Sequence, residues 1–352
     1  MDDAVGLTER VTAAARVAQA SQADDDWHAY WTLARQAVEG DGGQVAWQAG
    51  TRLLQSPDAL ERMVGCDLLG TAADEHERLR AGAATALLAL AEAETAPLVL
   101  SSLVCALGRT HDARAVTVLV DLSRHEEADL RCHVASQFAS VHSSLPDGPD
   151  VRALIRLTRD RDPDVRNWAA FTLGSQLDQD TTAIRDALWR CTTDEYGEVR
   201  EEGARGLARR HDPRAVPLIA HLLGTDSWSH NLTLDAAAIL GVPELLPALA
   251  ACQLDPAETD RALAACDPAR RARIQDDAWK IVLELERLHP DIDAALSSPR
   301  YASVHELEMT VTSRQAPDAR YEAAALLTRA DGDPARAAGL VAADLARPAA
   351  AL

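Results

Sequence analysis

The chain has 352 residues, 47% hydrophobic and 26% charged, which is too apolar for a disordered polymer and enough to bury a large core. Only 4% are aromatic, and 18 Gly and 16 Pro are near average usage, so collagen-like and low-complexity classes drop out. Thirty-five basic residues against 55 acidic give a net charge of −20, a field that repels nucleic acid and anionic membrane and attracts cationic partners.

Residues 1–43 open with acids and contain no basic stretch followed by an apolar one, so no secretory signal is predicted. Two or three helices are expected there, with Trp27, Tyr30 and Trp31 at i, i+3, i+4 spacing facing the core of an N-terminal cap. Apolar runs such as AATALLALA at Ala83–Ala91 fall far short of the roughly 20 residues of a membrane span. Six cysteines, at 66, 105, 132, 191, 252 and 266, form no CxxC pair and lie in stretches that read as helical. A soluble, cytoplasmic protein with reduced thiols is expected.

From residue 61 onward the chain repeats itself. Asp162–Gly174 reads DPDVRNWAAFTLG, whose periodic part is V-R-x-x-A-A-x-x-L-G with Val at position i. Copies start at residues 61, 99, 130, 165, 199 and 232, spaced by 38, 31, 35, 34 and 33, and Ala319–Thr328 (ARYEAAALLT) reads as a further one. Second amphipathic stretches lie between them, such as Ala113–Arg124 and Arg214–Gly224, so each unit is a pair of helices. Boundaries are marked by Ser or Asp before Pro, at Ser56, Asp162, Asp212, Asp255, Asp267, Ser298 and Asp333. There the oxygen can cap orphan amides while Pro takes the first helical position. Gly174 and Gly241 are placed to end helices in the left-handed conformation.

The pattern DPxVRxxAAxxLG, with second-helix openings at Asp112–Val116 (DARAV) and Asp212–Pro217 (DPRAVP), resembles the HEAT-repeat family of α-solenoids. The block DVRNWAAFTLGSQLD, with AIRDAL and GLARRHDPRA, is similar to bacterial HEAT-repeat proteins that are mostly uncharacterised. The resemblance implies an all-α, right-handed α-solenoid of about nine or ten helix pairs. It divides the chain into an N-terminal helical cap (1–43), the repeat solenoid (44–250) and divergent C-terminal helical repeats or cap (251–352), with a long helix near Ile274–Leu288 and a pair at about 318–346.

At 100° per residue, positions i, i+1, i+4, i+5 and i+8 fill an arc about 140° wide, the buried face. Positions i+2, i+3 and i+6 point away from it, and the resemblance places them on a concave surface. The candidate partner-binding groove is therefore His133, Asn167, Trp168, Phe171, Glu201, Glu202, Arg205 and Asp235, with Cys132, Ser136, Leu234 and Ala238 on the same stripe. The repeated Arg at i+1 (Arg62, Arg131, Arg166, Arg200, Arg320) lies within the core arc, and the resemblance implies a structural ladder in which it bonds an Asp or a carbonyl of the adjacent repeat.

No metal or cofactor is expected. HEAT-like deoxyhypusine hydroxylases hold two irons through His-Glu pairs, but the corresponding slots here hold Cys132-His133, Asn167-Trp168 and Glu201-Glu202. The dipeptides His76-Glu77, His125-Glu126 and His305-Glu306 sit near helix edges, and His125, Cys132, His133 and His142 lack zinc spacing. HEAT-like DNA glycosylases carry an Asp one turn after a groove Trp, where Thr172 stands here. Residues 1–149, 150–214 and 215–352 carry −11, −1 and −8, so no segment offers a basic track for phosphates.

Walker A, GxGxxG, HExxH and GxSxG motifs are all missing from the sequence. The expected function is a protein–protein interaction scaffold or adaptor that binds a basic protein along its concave surface, such as an immunity-type inhibitor or a biosynthetic assembly partner. The alternative is an enzyme using His133, Glu202, Arg205 and Asp235 around Trp168 for acid–base work.

Overall fold

Polar caps and apolar stripes cut this sequence into helices joined by short turns. The fold is given by a computed structural model that describes residues 2–21, 23–39, 43–224, 230–252, 254, 256–297, 307–313 and 318–345. Two units result, residues 1–187 and 188–352. The first holds α1 (Asp2–Ser21), α2 (Asp24–Gln36), α3 (Gln44–Leu53), α4 (Ala59–Glu75), α5 (Glu77–Ala91), α6 (Pro97–Thr110), α7 (Val116–Leu122), α8 (Ala128–Gln137), α9 (Pro149–Leu157) and α10 (Pro163–Phe171). The division falls inside α11 (Thr182–Cys191). Beyond it come α12 (Gly197–Arg209), α13 (Ala215–Leu223), α14 (His230–Leu240), α15 (Leu246–Ala251), α16 (Pro256–Cys266) and α17 (Pro268–Leu288). Three strands follow, β1 (Ile292–Ser297), β2 (Glu308–Ser313) and β3 (Ala319–Glu322), then α18 (Ala323–Arg329) and α19 (Pro334–Leu345). No helix among the described residues is long and apolar enough to cross a membrane.

In the first unit α4, α6, α8 and α10 pack side by side as one layer, and α3, α5, α7 and α9 each pack on the helix that follows. The second unit repeats the plan, with α12, α14 and α16 in one layer and α13 and α15 against α14 and α16. The six copies starting at 61, 99, 130, 165, 199 and 232 all lie in second helices, α4 through α14. The repeat phase in the sequence is thus the layer in the structure, because the small residues at i+4 and i+5 (Ala169 and Ala170 in α10) are fully buried where helices approach closely.

Asp-Pro caps act as their chemistry requires. The Asp162 carboxylate accepts from the amides of Asp164 (3.0 Å) and Val165 (3.3 Å), and that of Asp267 from Ala269 (2.8 Å) and Arg270 (3.3 Å). Asp212 and Asp333 bind the amides of Arg214 and Ala335 in the same way. At the Ser56-Pro57 boundary the cap moves two residues on, to Asp58, whose carboxylate accepts from Leu60 at 3.0 Å. Asp255 and Ser298 lie outside the described residues. Gly241 ends α14 at φ +58° as expected, but Gly174 does not: after α10 the chain widens into a π-helical turn, Thr172–Gln176, in which the Leu177 amide donates to the Thr172 carbonyl at 3.1 Å.

The cluster in the N-terminal helices faces the core. Tyr30 is fully buried, and Trp27 and Trp31 meet its ring edge-on at centroid distances of 5.7 and 5.1 Å. The Arg109 guanidinium lies 5.3 Å over Trp31, a cation–π contact.

The C-terminal region departs from the helical expectation. Residues 292–322 contain a three-stranded antiparallel sheet in the order β1-β2-β3, and Ala319–Glu322, the start of the supposed seventh copy, is its edge strand. The reason is visible in EMTVTS, where Met309 and Val311 are fully buried while Thr312 is exposed, a period of two built from β-branched residues. The buried face of the sheet joins Ile281, Val282 and Leu285 of α17, Leu326 of α18 and Val341 of α19 in a core of its own.

Candidate functional site

The arginine ladder is the clearest regular feature of the repeats. Arg131, at i+1 of α8, donates two bonds to the Asp160 carboxylate (2.8 and 2.7 Å) in the turn of the next repeat. It also donates to the carbonyls of His125 and Glu126 (both 2.8 Å) in its own turn. Arg62 repeats the arrangement with Glu94 (2.6 and 3.1 Å) and the carbonyls of Ser56 and Pro57. Arg166 binds the carbonyls of Asp160 and Arg161, and Arg200 those of Asp194 and Glu195. Each arginine therefore ties a turn to its own helix, and two of them visibly tie it to the following repeat. Burial pushes the Asp160 carboxyl up, but the Arg131 and Asp162 hydrogen bonds and the Arg131 and Arg161 charges together outweigh it and hold it below the usual carboxylate range. Arg320 is not a rung: it projects from β3, largely exposed, 3.7 Å from Glu308 on the paired strand, because residues 319–322 are extended.

In the first unit, four candidate residues come from α8 and α10. Trp168 is 43% exposed and stacks edge-on against Phe171, with centroids 5.8 Å apart and rings at 82°. His133 and Asn167 are half-buried, and the His133 Nδ1 and Asn167 Oδ1 atoms are buried with no hydrogen-bond partner among the described residues. Burial lowers the His133 pKa, against the opposing pull of the Asp129 carboxylate. The adjacent Cys132 thiol is pushed up to about 12, by burial first and then by Asp162, Asp164 and Asp129, so it is no thiolate nucleophile at neutral pH.

The second unit corrects the groove reading. Glu201 is only 2% exposed and Glu202 only 7%, and Leu234 and Ala238 on the same stripe are also buried. Each second helix has a neighbour within its own layer as well as its partner across the layers, and α14 packs along α12. The arc assigned to solvent is therefore partly covered. Arg205 and Asp235 do reach each other, at 2.5 Å across α12 and α14, and Asp235 also meets Arg261 of α16 at 3.2 Å. Asp235 and Arg261 line a cleft of about 270 Å³ with Asn231, Leu234, Glu258 and Ala262. Of the acid–base set, one carboxylate is buried and the other is held between two arginines.

The His-Glu dipeptides and the histidine cluster, disfavoured as metal ligands from the sequence, lie as follows. The His76 ring approaches the Val38 carbonyl at 3.2 Å, and the His125 Nδ1 accepts from the Glu127 amide at 3.2 Å. His305-Glu306 lies outside the described residues. Among those described, no three His, Cys, Asp or Glu side chains converge as metal ligands would, and all six cysteines are free thiols.

One buried polar pair has no counterpart in the repeat pattern. Tyr30 of α2 donates to the Asp67 carboxylate of α4 at 2.6 Å, both side chains being buried. Burial raises the Asp67 carboxyl to about 6, while bonds from Tyr30 and Ser102 and the charge of Arg109 pull it back.

Stacked helix pairs fastened by an arginine ladder define the class: this is a helical-repeat protein. Residues 151–231 match the family model described as HEAT repeats. The chain is 32% identical over 131 residues to Protein YibA of Escherichia coli strain K12, and equally to its counterpart in strain O157:H7, covering 37% of this chain and 46% of each relative. It thus spans about half the length of the curated relatives it matches. The X-ray structure of E. coli YibA superposes with a TM-score of 0.55 at 20% identity, over 74% of this chain and 95% of that one, a likeness of fold.

Proposed function

We propose that the protein is an interaction scaffold that binds a basic protein partner, with Trp168 as a central contact. The observation that carries this is the Trp168–Phe171 pair: a large aromatic left 43% exposed on a second helix, braced edge-on by its neighbour. A Trp face held rigid in this way offers a cationic side chain a cation–π seat and contributes large contact area at little entropic cost. The −20 charge supports the sign of the partner, since an acidic surface speeds encounter with a basic one and disfavours nucleic acid. HEAT repeats, which present helix layers rather than an enclosed cavity, are consistent with that role. Residues 1–43 serve as cap and 44–250 as the repeat body in this reading, and the free cysteines agree with a reducing cytoplasm.

The test is affinity capture from native lysate with the full chain at low and high salt, using wild type and Trp168→Ala with unchanged helicity. A protein held by wild type, released by salt and missed by the variant is the expected result. Capture indifferent to Trp168 would overturn the assignment of this face.

A further inference from the structure

A cleft of about 540 Å³ opens in the first unit where the α7–α8 turn lies beside the α9–α10 turn. Five arginines line it (Arg124, Arg131, Arg156, Arg159 and Arg161), against two acids, Glu126 and Asp160. In a chain of net charge −20, this is a local reversal of sign.

The charges are not equally available. Arg131 and Asp160 neutralise each other as the ladder rung. Of the four remaining guanidinium groups, Arg161 donates to the Glu126 backbone carbonyl at 3.1 Å, and the one carboxylate its charge acts on, Asp160, is already engaged by Arg131. Arg124 approaches a carboxylate only at 3.9 Å, on the largely exposed Asp121. Arg156 donates to the Ser123 hydroxyl, and no carboxylate is among the groups that act on it in the described residues. The guanidinium of Arg156 is lowered in pKa first by partial burial and then by the charge of Arg124, which places the two cations near each other. Four exposed arginines and one further carboxylate side chain, Glu126, thus line the cleft, an excess of positive charge that a bound anion would balance.

We propose that this cleft is a binding site for a small phosphorylated molecule, its phosphate seated between Arg156 and Arg159 and flanked by Arg124 and Arg161. Guanidinium forks match phosphate oxygens in geometry and charge, and they hold a dianion better than a carboxylate's single charge. The volume suits a small-molecule ligand. The Arg131–Asp160 rung forms part of the cleft wall, while the other four arginines are offered to a ligand; Trp168 is not among the lining residues, so the site stands independently of the scaffold reading.

The test is isothermal titration of the full chain with inorganic pyrophosphate, beside a thermal-shift series in which sodium chloride matches its ionic strength. Saturable binding and a rise in Tm beyond that of chloride are expected, with affinity reduced at least tenfold in Arg156→Ala/Arg159→Ala. Arg159→Ala alone, which removes an exposed side chain, is expected to weaken binding without altering the fold. Arg152→Ala, which removes a cation of α9 outside the cleft that faces Asp147 at 3.3 Å, should leave binding unchanged. No saturable heat with wild type, or equal binding by the Arg159→Ala and Arg152→Ala proteins, would overturn the proposal.

Discussion

Arg131 and Asp160 stand twenty-nine residues apart in sequence and are joined by two hydrogen bonds of 2.8 and 2.7 Å, with both side chains almost entirely covered. Removing either partner leaves a buried charge uncompensated, which costs about 3 kcal/mol. Arg131→Ala also strips a donor from the carbonyls of His125 and Glu126. Because the folded Asp160 carboxyl titrates below its ordinary value, its contribution is present above about pH 4 and is lost as pH falls through the folded value. Urea unfolding of Asp160→Asn should therefore show a large deficit against wild type at pH 7 and a smaller one at pH 3. An equal deficit at both would mean that the carboxylate charge is not what the rung depends on.

Asp67 has the opposite sign. Its folded carboxyl is raised to about 6 by burial, so the folded chain holds a proton that the unfolded chain has released. Stability from this group is greatest below the unfolded value near pH 4 and declines by about 3 kcal/mol as pH rises to and beyond about 6. Asp67→Asn should flatten that decline while preserving a bond to the Tyr30 hydroxyl. Matching pH profiles for the two proteins between pH 4 and 7 would refute it.

Gly70 of α4 is a contact residue. A Cβ there would stand 2.8 Å from the Ala106 Cα and 2.9 Å from its Cβ on α6. Gly70→Ala gains helix propensity, at most about 1 kcal/mol, but overpacks two backbones that cannot yield, at about 1–3 kcal/mol. A net fall in Tm is expected, and a rise would show that the two helices can separate freely.

Trp168→Ala should cost little stability. The side chain is partly solvent-exposed, and its edge-on contact with Phe171 contributes about 0.5–1.5 kcal/mol. A loss well above that range on chemical denaturation would make Trp168 a core residue and remove it from any binding surface.

The helical-repeat fold was legible because its signals are local. An Asp before Pro caps a helix wherever it occurs, and small residues at i+4 and i+5 recur wherever second helices abut. The Arg at i+1 was readable as structural from its phase together with the family resemblance, except at Arg320, which lies on a strand. Trp168 and Phe171 were legible as a pair because aromatics are scarce. The burial of Glu201 and Glu202 was not, since one helix's periodicity does not state how many neighbours cover it. Alternating Met309 and Val311 could have revealed β2, but the pattern is short and sits beside a helix-like alanine run.

In the repeats, the sequence by itself determined that the chain is helical and that it repeats, because backbone capping and side-chain periodicity act over a few residues. Only the tertiary structure decided which faces remain open, which strands pair, and which arginines gather. Arg124 and Arg159 are thirty-five positions apart in the sequence and line one cleft because equivalent turns of neighbouring repeats stack. Burial and charge clustering are properties of neighbours, and in this chain the neighbours come from the repeat before and the repeat after.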